Sequence, residues 1–183
     1  MDGMVPARVA DVAPWQDWTS AADDALRFLH HHVGWDLWMV TRLVGDQQVV
    51  LRAWPDRDVR PGARVPWADS LCRQMVEGNA PRMATVTAIV PAYAAHAQQP
   101  VGTVAAYVGV PLLTRDREVF GTLCGVSARA KPRSAARELT VIEAAARTLS
   151  SLMAAGMEPP PVPPRPESSN WGRRPAAGSR DAC

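Results

Sequence analysis

The chain has 183 residues, of which 47% are hydrophobic and 21% are charged, as in a globular protein with one domain and an extension. A net charge of +2, without a basic stripe, argues against nucleic-acid binding. The apolar runs are far shorter than the ~20 residues of a membrane span, and the N-terminus lacks a signal pattern. We therefore expect a cytoplasmic protein that does not bind membranes. Three cysteines, Cys72, Cys124 and Cys183, are too few for a secreted disulfide scaffold.

The composition divides the chain into three parts. A lead-in of residues 1–18 precedes a folded domain of residues 19–156. A proline-rich tail, residues 157–183, cannot bury enough apolar surface to offset the entropy lost on ordering, and we expect it to be disordered. Its PPPVPPRP run favours an extended polyproline conformation that suits an aromatic groove, and Trp171 is a candidate docking residue.

A helix and a β-hairpin are the first elements predicted in the domain. Thr19 or Ser20 caps a helix whose apolar residues recur every three or four positions, and Gly34 ends it. Residues 35–44 alternate in polarity and are rich in Trp and Val. Residues 47–54 repeat this pattern after a Gly-Asp turn, so the two segments are predicted to pair as antiparallel strands.

The second half of the domain repeats this arrangement of helix and hairpin. A helix over residues 67–77 and a short strand over 82–86 are followed by a hairpin of residues 105–113 and 118–127. A long helix starts at Ser134. Two segments between these elements are predicted as loops: residues 55–66 and 98–104. This order predicts an α+β fold, in which helices flank a central antiparallel sheet of about five or six strands.

Three runs carry a family resemblance: WADSLCRQMVEGNAPRMA, VPAYAAH and AYVGVPLLTRDREVFGTLCGVS. They resemble the GAF sensor family, in particular actinobacterial and cyanobacterial members that sit beside diguanylate cyclase or histidine kinase domains. The resemblance covers residues 19–155. It implies a GAF/PAS-like fold, a pocket between the sheet and the helix near Ser70, and a homodimer formed through the terminal helices. It leaves the ligand and any cofactor open, because members bind cyclic nucleotides, haem, tetrapyrroles, amino acids or nothing.

The chain departs from the usual layout of that family, because its long helix leads into the proline-rich tail and not into an effector domain. We therefore expect a non-catalytic sensor that signals in trans in a bacterium. The expected partner is a histidine kinase or a protein of the diguanylate cyclase type. One alternative is a protein-interaction module without a ligand, and a cavity of a few hundred cubic ångströms would argue against it.

Aromatic walls with a few polar groups are typical of small-molecule sites, which identifies a set of candidate residues around the predicted pocket. Arg52 is included because its planar guanidinium matches a carboxylate or a phosphate. The simpler interpretation is that the aromatic side chains fill the core. The candidate ligand-binding residues are Trp38, Arg52, Trp67, Ser70, Cys72, Met75, Tyr93, Tyr107, Thr122 and Cys124.

A second alternative function uses Cys72 and Cys124 as a thiol redox sensor or reductase. Cys72 lies in the first turn of a predicted helix, where the helix dipole lowers a thiol pKa, and Cys124 lies on a core strand. This alternative requires the two thiols to lie within disulfide reach. The simpler interpretation is two buried apolar residues. A subset of GAF proteins reduces free methionine sulfoxide with closely spaced cysteines, and the cysteines here do not have that spacing.

Neither a metal site nor a catalytic residue is predicted. His30, His31 and His32 point about 100° apart on a helix and cannot converge on one ion. His96 is predicted to lie on a loop surface. The chain has no phosphate-binding loop, no Ser/His/Asp grouping and no HExxH motif.

Overall fold

The computed structural model describes residues 12–57 and 59–166. Its α-helices are α1 (Trp18–Val33), α2 (Leu71–Val76), α3 (Pro91–Ala94) and α4 (Leu139–Ala154). Its strands are β1 (Leu37–Val44), β2 (Gln47–Trp54), β3 (Arg64–Pro66), β4 (Met83–Ala84), β5 (Gln98–Gln99), β6 (Gly102–Thr103), β7 (Ala106–Leu113) and β8 (Val119–Ser127). Short 3₁₀ helices cover Trp67–Asp69, Thr87–Ile89 and Arg133–Glu138.

Six strands form one antiparallel sheet in the order β3-β2-β1-β8-β7-β4, which confirms the predicted α+β class. Both predicted hairpins are present, and they join through the pairing of β1 with β8. In that central pair Met39 lies opposite Cys124 and Thr41 lies opposite Thr122. Because side chains alternate across a strand, this register decides which residues share a face of the sheet.

The two faces of the sheet support separate cores. One, the helix face, carries Trp38, Val40 and Leu123 and packs against α1 and α4. The other, the cavity face, carries Met39 and Cys124 and is covered by α2, α3 and the β5–β6 hairpin. Both faces are buried, so the central strands read as nearly continuous apolar runs with few polar interruptions.

The first helix begins before the predicted cap, because Asp17 is the residue that caps it. Its carboxylate accepts from the Ser20 backbone N–H at 2.7 Å, which satisfies an otherwise unpaired donor. Trp18 is fully buried, and its indole N–H donates to the Leu149 carbonyl at 3.0 Å. The packed core therefore includes a residue that the sequence analysis placed in the lead-in.

Several predicted boundaries also shift. The predicted loops at residues 55–66 and 98–104 contain β3 and the small β5–β6 hairpin. The helix predicted over residues 67–77 is a 3₁₀ turn followed by α2, since Ser70 adopts an extended conformation between them. Ser134 lies within a 3₁₀ segment that precedes α4 and makes no capping hydrogen bond.

Residues 157–166 follow α4 as irregular chain. Met157 packs against the helix-face core. Further along, a Cβ added to Gly62 would lie 2.0 Å from the Pro164 carbonyl oxygen, so this part of the proline-rich segment lies against the loop before β3. The rest of the predicted tail, with Trp171 and Cys183, lies outside the described residues. Within residues 12–57 and 59–166, no helix combines the length and the apolar character needed to cross a bilayer.

The close approach of β1 and β8, where the two hairpins join, requires a glycine at position 121, and this requirement can be tested. An added Cβ would lie 1.9 Å from the Thr41 backbone oxygen, so relief requires the central strands to separate. We expect Gly121→Ala to lower the free energy of unfolding by about 3 kcal/mol or more, measured by urea denaturation.

Gly125→Ala is the matched comparison, because the atoms nearest to its Cβ would belong to the Trp38 ring, at 2.9 Å. A side chain yields more easily than backbone, so we expect a smaller loss of about 1–2 kcal/mol. Equal losses for the two variants would contradict this account of the strand contact.

Candidate functional site

A small cavity lies between the cavity face of the sheet, α2 and the β5–β6 hairpin. The centre of a water molecule can occupy about 40 Å³ of it, room for a few waters or a small chemical group. Its lining residues are Met39, Thr41, Gln48, Val50, Val65, Leu71, Cys72, Gln99, Val101, Tyr107, Cys124 and Val126. The cavity is thus mostly apolar, with polar groups gathered near two cysteines.

The start of α2 places Cys72 at this cavity. Ser70 is the N-cap, and its hydroxyl accepts from the Arg73 backbone N–H at 3.2 Å. With the helix start fixed there, Leu71, Cys72 and Met75 face inward and are buried. Cys72 therefore faces the sheet from the first turn of the helix.

A cluster of hydrogen bonds converges on the Cys72 sulfur. Gln48 Nε2 donates to Cys72 Sγ at 3.0 Å and to Thr41 Oγ1 at 3.0 Å. Thr41 and Thr122 exchange a hydroxyl hydrogen bond of 2.8 Å, and Thr122 Oγ1 donates to Cys72 Sγ at 3.2 Å. One orientation of the protons satisfies these four contacts: Thr41 donates to Thr122, Thr122 donates to the sulfur, and Gln48 donates to the sulfur and to Thr41.

This cluster favours the thiolate form of Cys72. Burial alone raises the pKa of a thiol, but hydrogen bonds to the sulfur outweigh burial here and lower the pKa of Cys72 to about 6. The groups responsible, in order of effect, are Cys124, Thr122, Tyr107 and Gln48, of which Thr122 and Gln48 have the geometry of a hydrogen bond to the sulfur. At neutral pH Cys72 is therefore mainly a thiolate, the nucleophilic form of cysteine.

Cys124, on the sheet, lines the same cavity as Cys72. Both thiols are free and buried. The nearby Cys72 sulfur, together with burial and the charge on Cys72, raises the pKa of Cys124 well above its ordinary value. The two pKa values shift in opposite directions, so Cys72 loses its proton before Cys124, which is the order needed for one sulfur to attack a substrate and the other to resolve the product.

Two tyrosines border the cysteine pair. Burial, and next the charge on Cys72, raises the pKa of Tyr107 well above its ordinary value, so its hydroxyl stays protonated. The Tyr93 ring packs on Tyr107 with centroids 4.9 Å apart, and its hydroxyl donates to the Pro81 carbonyl.

A larger depression lies outside the cavity, on the other side of the β5–β6 hairpin. The centre of a water molecule can occupy about 290 Å³ of it. Gln99 and Val65 line both spaces. The Gln99 amide donates to the carbonyls of His96 and Asp69 at 2.7 and 2.9 Å. These hydrogen bonds hold the β5–β6 hairpin in place next to both the cavity and the depression.

The predicted site residues separate into three groups. Cys72, Tyr107 and Cys124 line the cavity, and Thr122 belongs to the hydrogen-bond cluster around Cys72. Ser70 caps α2. The remaining cavity-face candidates pack in the surrounding core without lining the cavity: Trp67, Met75 and Tyr93.

Trp38 and Arg52 lie on the helix face, away from the cavity. Trp38 is the chain neighbour of Met39, so it points to the opposite side and covers Gly125. Simple alternation along β2 would place Arg52 with Gln48 and Val50. The register skips one residue between the pairs Val40↔Arg52 and Thr41↔Val50, and this bulge turns Arg52 to the other face.

On the helix face, Arg52 binds both carboxylate oxygens of Asp23 at 2.6 Å. Arg52 is thus paired within the fold instead of being free to clamp an anionic ligand at the cavity. The bidentate geometry and the raised pKa of Arg52, due first to this hydrogen bond, agree with a structural ion pair between α1 and β2.

Gln48 and Thr41, the polar members of the cluster, were not among the predicted site residues. The available signal was a polar side chain at an inward-facing position of an otherwise apolar strand. Met39 was not predicted as a site residue, because a methionine in a strand is usually part of the apolar core. Among the described residues, no group of three or more His, Cys, Asp or Glu side chains could hold a metal ion.

Comparison with known proteins identifies the fold. No family model and no curated protein matches the chain. Among solved structures it is similar to free methionine-R-sulfoxide reductase from Neisseria meningitidis in complex with its substrate: 17% identity, 80% of this chain and 83% of that chain covered, TM-score 0.60. The type II enzyme from Thermoplasma acidophilum is 16% identical, with 75% of this chain and 93% of that chain covered and a TM-score of 0.58. The second GAF domain of DevS from Mycobacterium smegmatis is 18% identical, with 76% of this chain and 98% of that chain covered and a TM-score of 0.56.

The chain has a GAF-like fold, as the family resemblance implied. The expectation that it is not an enzyme is overturned, because the two reductases show that this fold supports catalysis with a comparable framework. At these identities the likeness establishes the fold alone, and the chemistry of this chain has to be argued from its own residues.

The hydrogen-bond cluster predicts how the Cys72 pKa responds to substitution. In a Cys183→Ser background, the rate of alkylation by iodoacetamide should reach half its maximum near pH 6. Gln48→Leu removes one donor to the sulfur and should move this midpoint upward.

Gln47→Leu is the control, because Gln47 bonds to Asp46 at the exposed turn and does not contact the thiol. Its midpoint should stay that of the parent protein. An unchanged midpoint in Gln48→Leu would show that Gln48 does not stabilise the thiolate.

The same shift makes stability depend on pH. The folded-state pKa of Cys72 lies below the unfolded value of about 8.5, so the thiolate stabilises the fold fully above that value. This contribution is lost as the pH falls toward 6. The free energy of unfolding should therefore rise from pH 6 to 8.5 more steeply in the parent protein than in Cys72→Ser, measured by urea denaturation. Parallel curves would contradict the shift.

Proposed function

We propose that this chain is a thiol-dependent reductase of small sulfoxides, with Cys72 as the nucleophile and Cys124 as the resolving thiol. The observation that carries the proposal is that two free, buried cysteines line one cavity, where Gln48 and Thr122 both donate hydrogen bonds to the Cys72 sulfur. A buried cysteine with a purely structural role is inert and has no need of donors that lower its pKa.

The proposed reaction has two steps within the protein. The Cys72 thiolate attacks the sulfoxide sulfur, and the oxygen, with one added proton, passes to the Cys72 sulfur, which releases the sulfide and leaves a sulfenic acid. The Cys124 thiol then attacks the Cys72 sulfur. The S–O bond breaks, a disulfide forms, and the hydroxyl leaves as water with the proton of Cys124. A dithiol reductant restores both thiols by exchange.

The size of the cavity limits the part of the substrate that can reach Cys72. About 40 Å³ for water centres accepts a sulfoxide group but not a whole amino acid. The rest of a larger substrate would occupy the outer depression of about 290 Å³, once the Gln99 side chain gives way. Since the cysteines lack the close spacing of the methionine sulfoxide reductase subset, we leave the substituents on the sulfoxide open.

A redox sensor is the second candidate, favoured by the smallness of the cavity and by the GAF-like fold. A peroxide fits the space without movement of the hairpin and would oxidise Cys72 by the same oxygen transfer. The disulfide would then join α2 to β8 and present an altered α2 to a signalling partner in the cytoplasm. Homodimer formation and the identity of that partner stay predictions.

Turnover distinguishes the two candidates. We expect Cys183→Ser protein to reduce methionine sulfoxide or dimethyl sulfoxide with dithiothreitol over many cycles, with the sulfide quantified by chromatography. Cys72→Ser should lose at least about 100-fold in rate. In the absence of dithiothreitol, Cys124→Ser should complete about one turnover, and its Cys72 sulfenic acid should react with dimedone.

Two results would contradict these proposals. A single oxidation of Cys72 by hydrogen peroxide, without turnover of any sulfoxide, would replace the reductase with the sensor. A Cys72→Ser variant that retains sulfoxide reduction would remove both proposals.

A further inference from the structure

Tyr107 carries a buried hydroxyl that the fold does not use. Its side chain is 1% exposed and lines the cavity. The hydroxyl lies near enough to Cys72 to lower that thiol's pKa, yet no described atom meets the distance and angle of a hydrogen bond to it. A buried hydroxyl without a partner destabilises a fold, so its presence has no structural explanation.

The strand around Tyr107 also makes room for this hydroxyl. A Cβ at Gly109, two residues along β7, would lie 2.0 Å from Tyr107 Oη. The neighbouring tyrosine differs, because the Tyr93 hydroxyl donates to the Pro81 carbonyl and so has a structural role. Of these two tyrosines, Tyr107 is the one whose proton is available to a molecule in the cavity.

The proposed reduction needs a proton at the place that Tyr107 occupies. As Cys72 attacks the sulfoxide sulfur, electrons of the S–O bond move to the oxygen, which becomes strongly basic. The Gln48 and Thr122 donors are engaged with the Cys72 sulfur. Cys124, as the resolving thiol, has to keep its proton for the water that leaves in the second step.

We propose that Tyr107 is a catalytic residue of this site, whose hydroxyl donates its proton to the substrate oxygen during attack by Cys72. This inference rests on the proposed reductase function. The resulting phenolate regains a proton from solvent, which balances the proton that Cys72 loses on forming the thiolate. A buried tyrosine that stays protonated at neutral pH is suited to this role, since it enters each cycle as a donor.

Two reactions of the same thiolate test the role. Alkylation of Cys72 by iodoacetamide expels iodide and needs no proton, whereas sulfoxide reduction needs one. At pH 8, where Cys72 is ionised, Tyr107→Phe should lower kcat/KM for the sulfoxide at least about 30-fold. It should change the alkylation rate less than about threefold. At pH 5, where Cys72 is protonated, the variant should melt at the same or a higher temperature, because there it removes only an unpaired buried hydroxyl.

Tyr93→Phe is the matched control, because it removes a hydroxyl that is already paired. It should lower the melting temperature and leave the ratio of the two rates unchanged. Replacement of Tyr107 by a fluorotyrosine of lower phenol pKa keeps the ring and the hydroxyl, and should preserve or raise the sulfoxide rate. This variant keeps the test decisive where Tyr107→Phe folds poorly.

Sulfoxide reduction by Tyr107→Phe at the parental rate would overturn the inference, as would an equal loss in both reactions, which indicates a general distortion. Either result leaves the reductase function standing. A parent protein that is alkylated near pH 6 but reduces no sulfoxide would refute the reductase itself, and the role of Tyr107 with it.

Discussion

The pairing of β1 with β8 is the constraint on which both the fold and the site depend. It joins two hairpins that are otherwise separate in the chain, and its register sets Thr41 opposite Thr122 and Met39 opposite Cys124. A shift by one residue would exchange the two faces, burying Trp38 in the cavity and placing the threonines under α1 and α4. Gly121 and Gly125 belong to the same strand pair, where their lack of a side chain lets backbone and the Trp38 ring approach.

The hydrogen-bond cluster is stable in an apolar core only because its members satisfy one another. Gln48, Thr41 and Thr122 are each less than 10% exposed, and a buried amide or hydroxyl without partners would be costly. Their donors end at the Cys72 sulfur, which accepts best when it is ionised. The cluster and the thiolate therefore stabilise each other, and removing any member leaves another polar group unpaired.

Much of the fold could be predicted from the sequence, because hairpins and amphipathic helices follow from local periodicity. The site could be predicted only in part. Cys72, Tyr107 and Cys124 were identified by residue type, but their proximity depends on how distant segments pack. Arg52 was predicted at the pocket but lies on the helix face, because the sequence pattern of β2 does not reveal its bulge. Trp38 was misplaced because two strands of alternating polarity do not reveal which face holds the cavity. The Asp17 cap lay two residues outside the predicted domain.

The reductase and the sensor differ less in structure than in kinetics. Cys72 lies on a helix of six residues that contacts the sheet through Leu71 and Met75, whereas Cys124 lies on the central strand β8. A disulfide between them would join a short peripheral element to the most firmly paired part of the domain, so oxidation changes α2 in either case. When a reductant opens the disulfide faster than a partner binds the changed helix, the protein turns over substrate; when it opens slowly, the same bond stores a signal. The fold permits both outcomes, and the proton proposed to come from Tyr107 would serve either, because the oxygen that leaves a peroxide needs a proton as well.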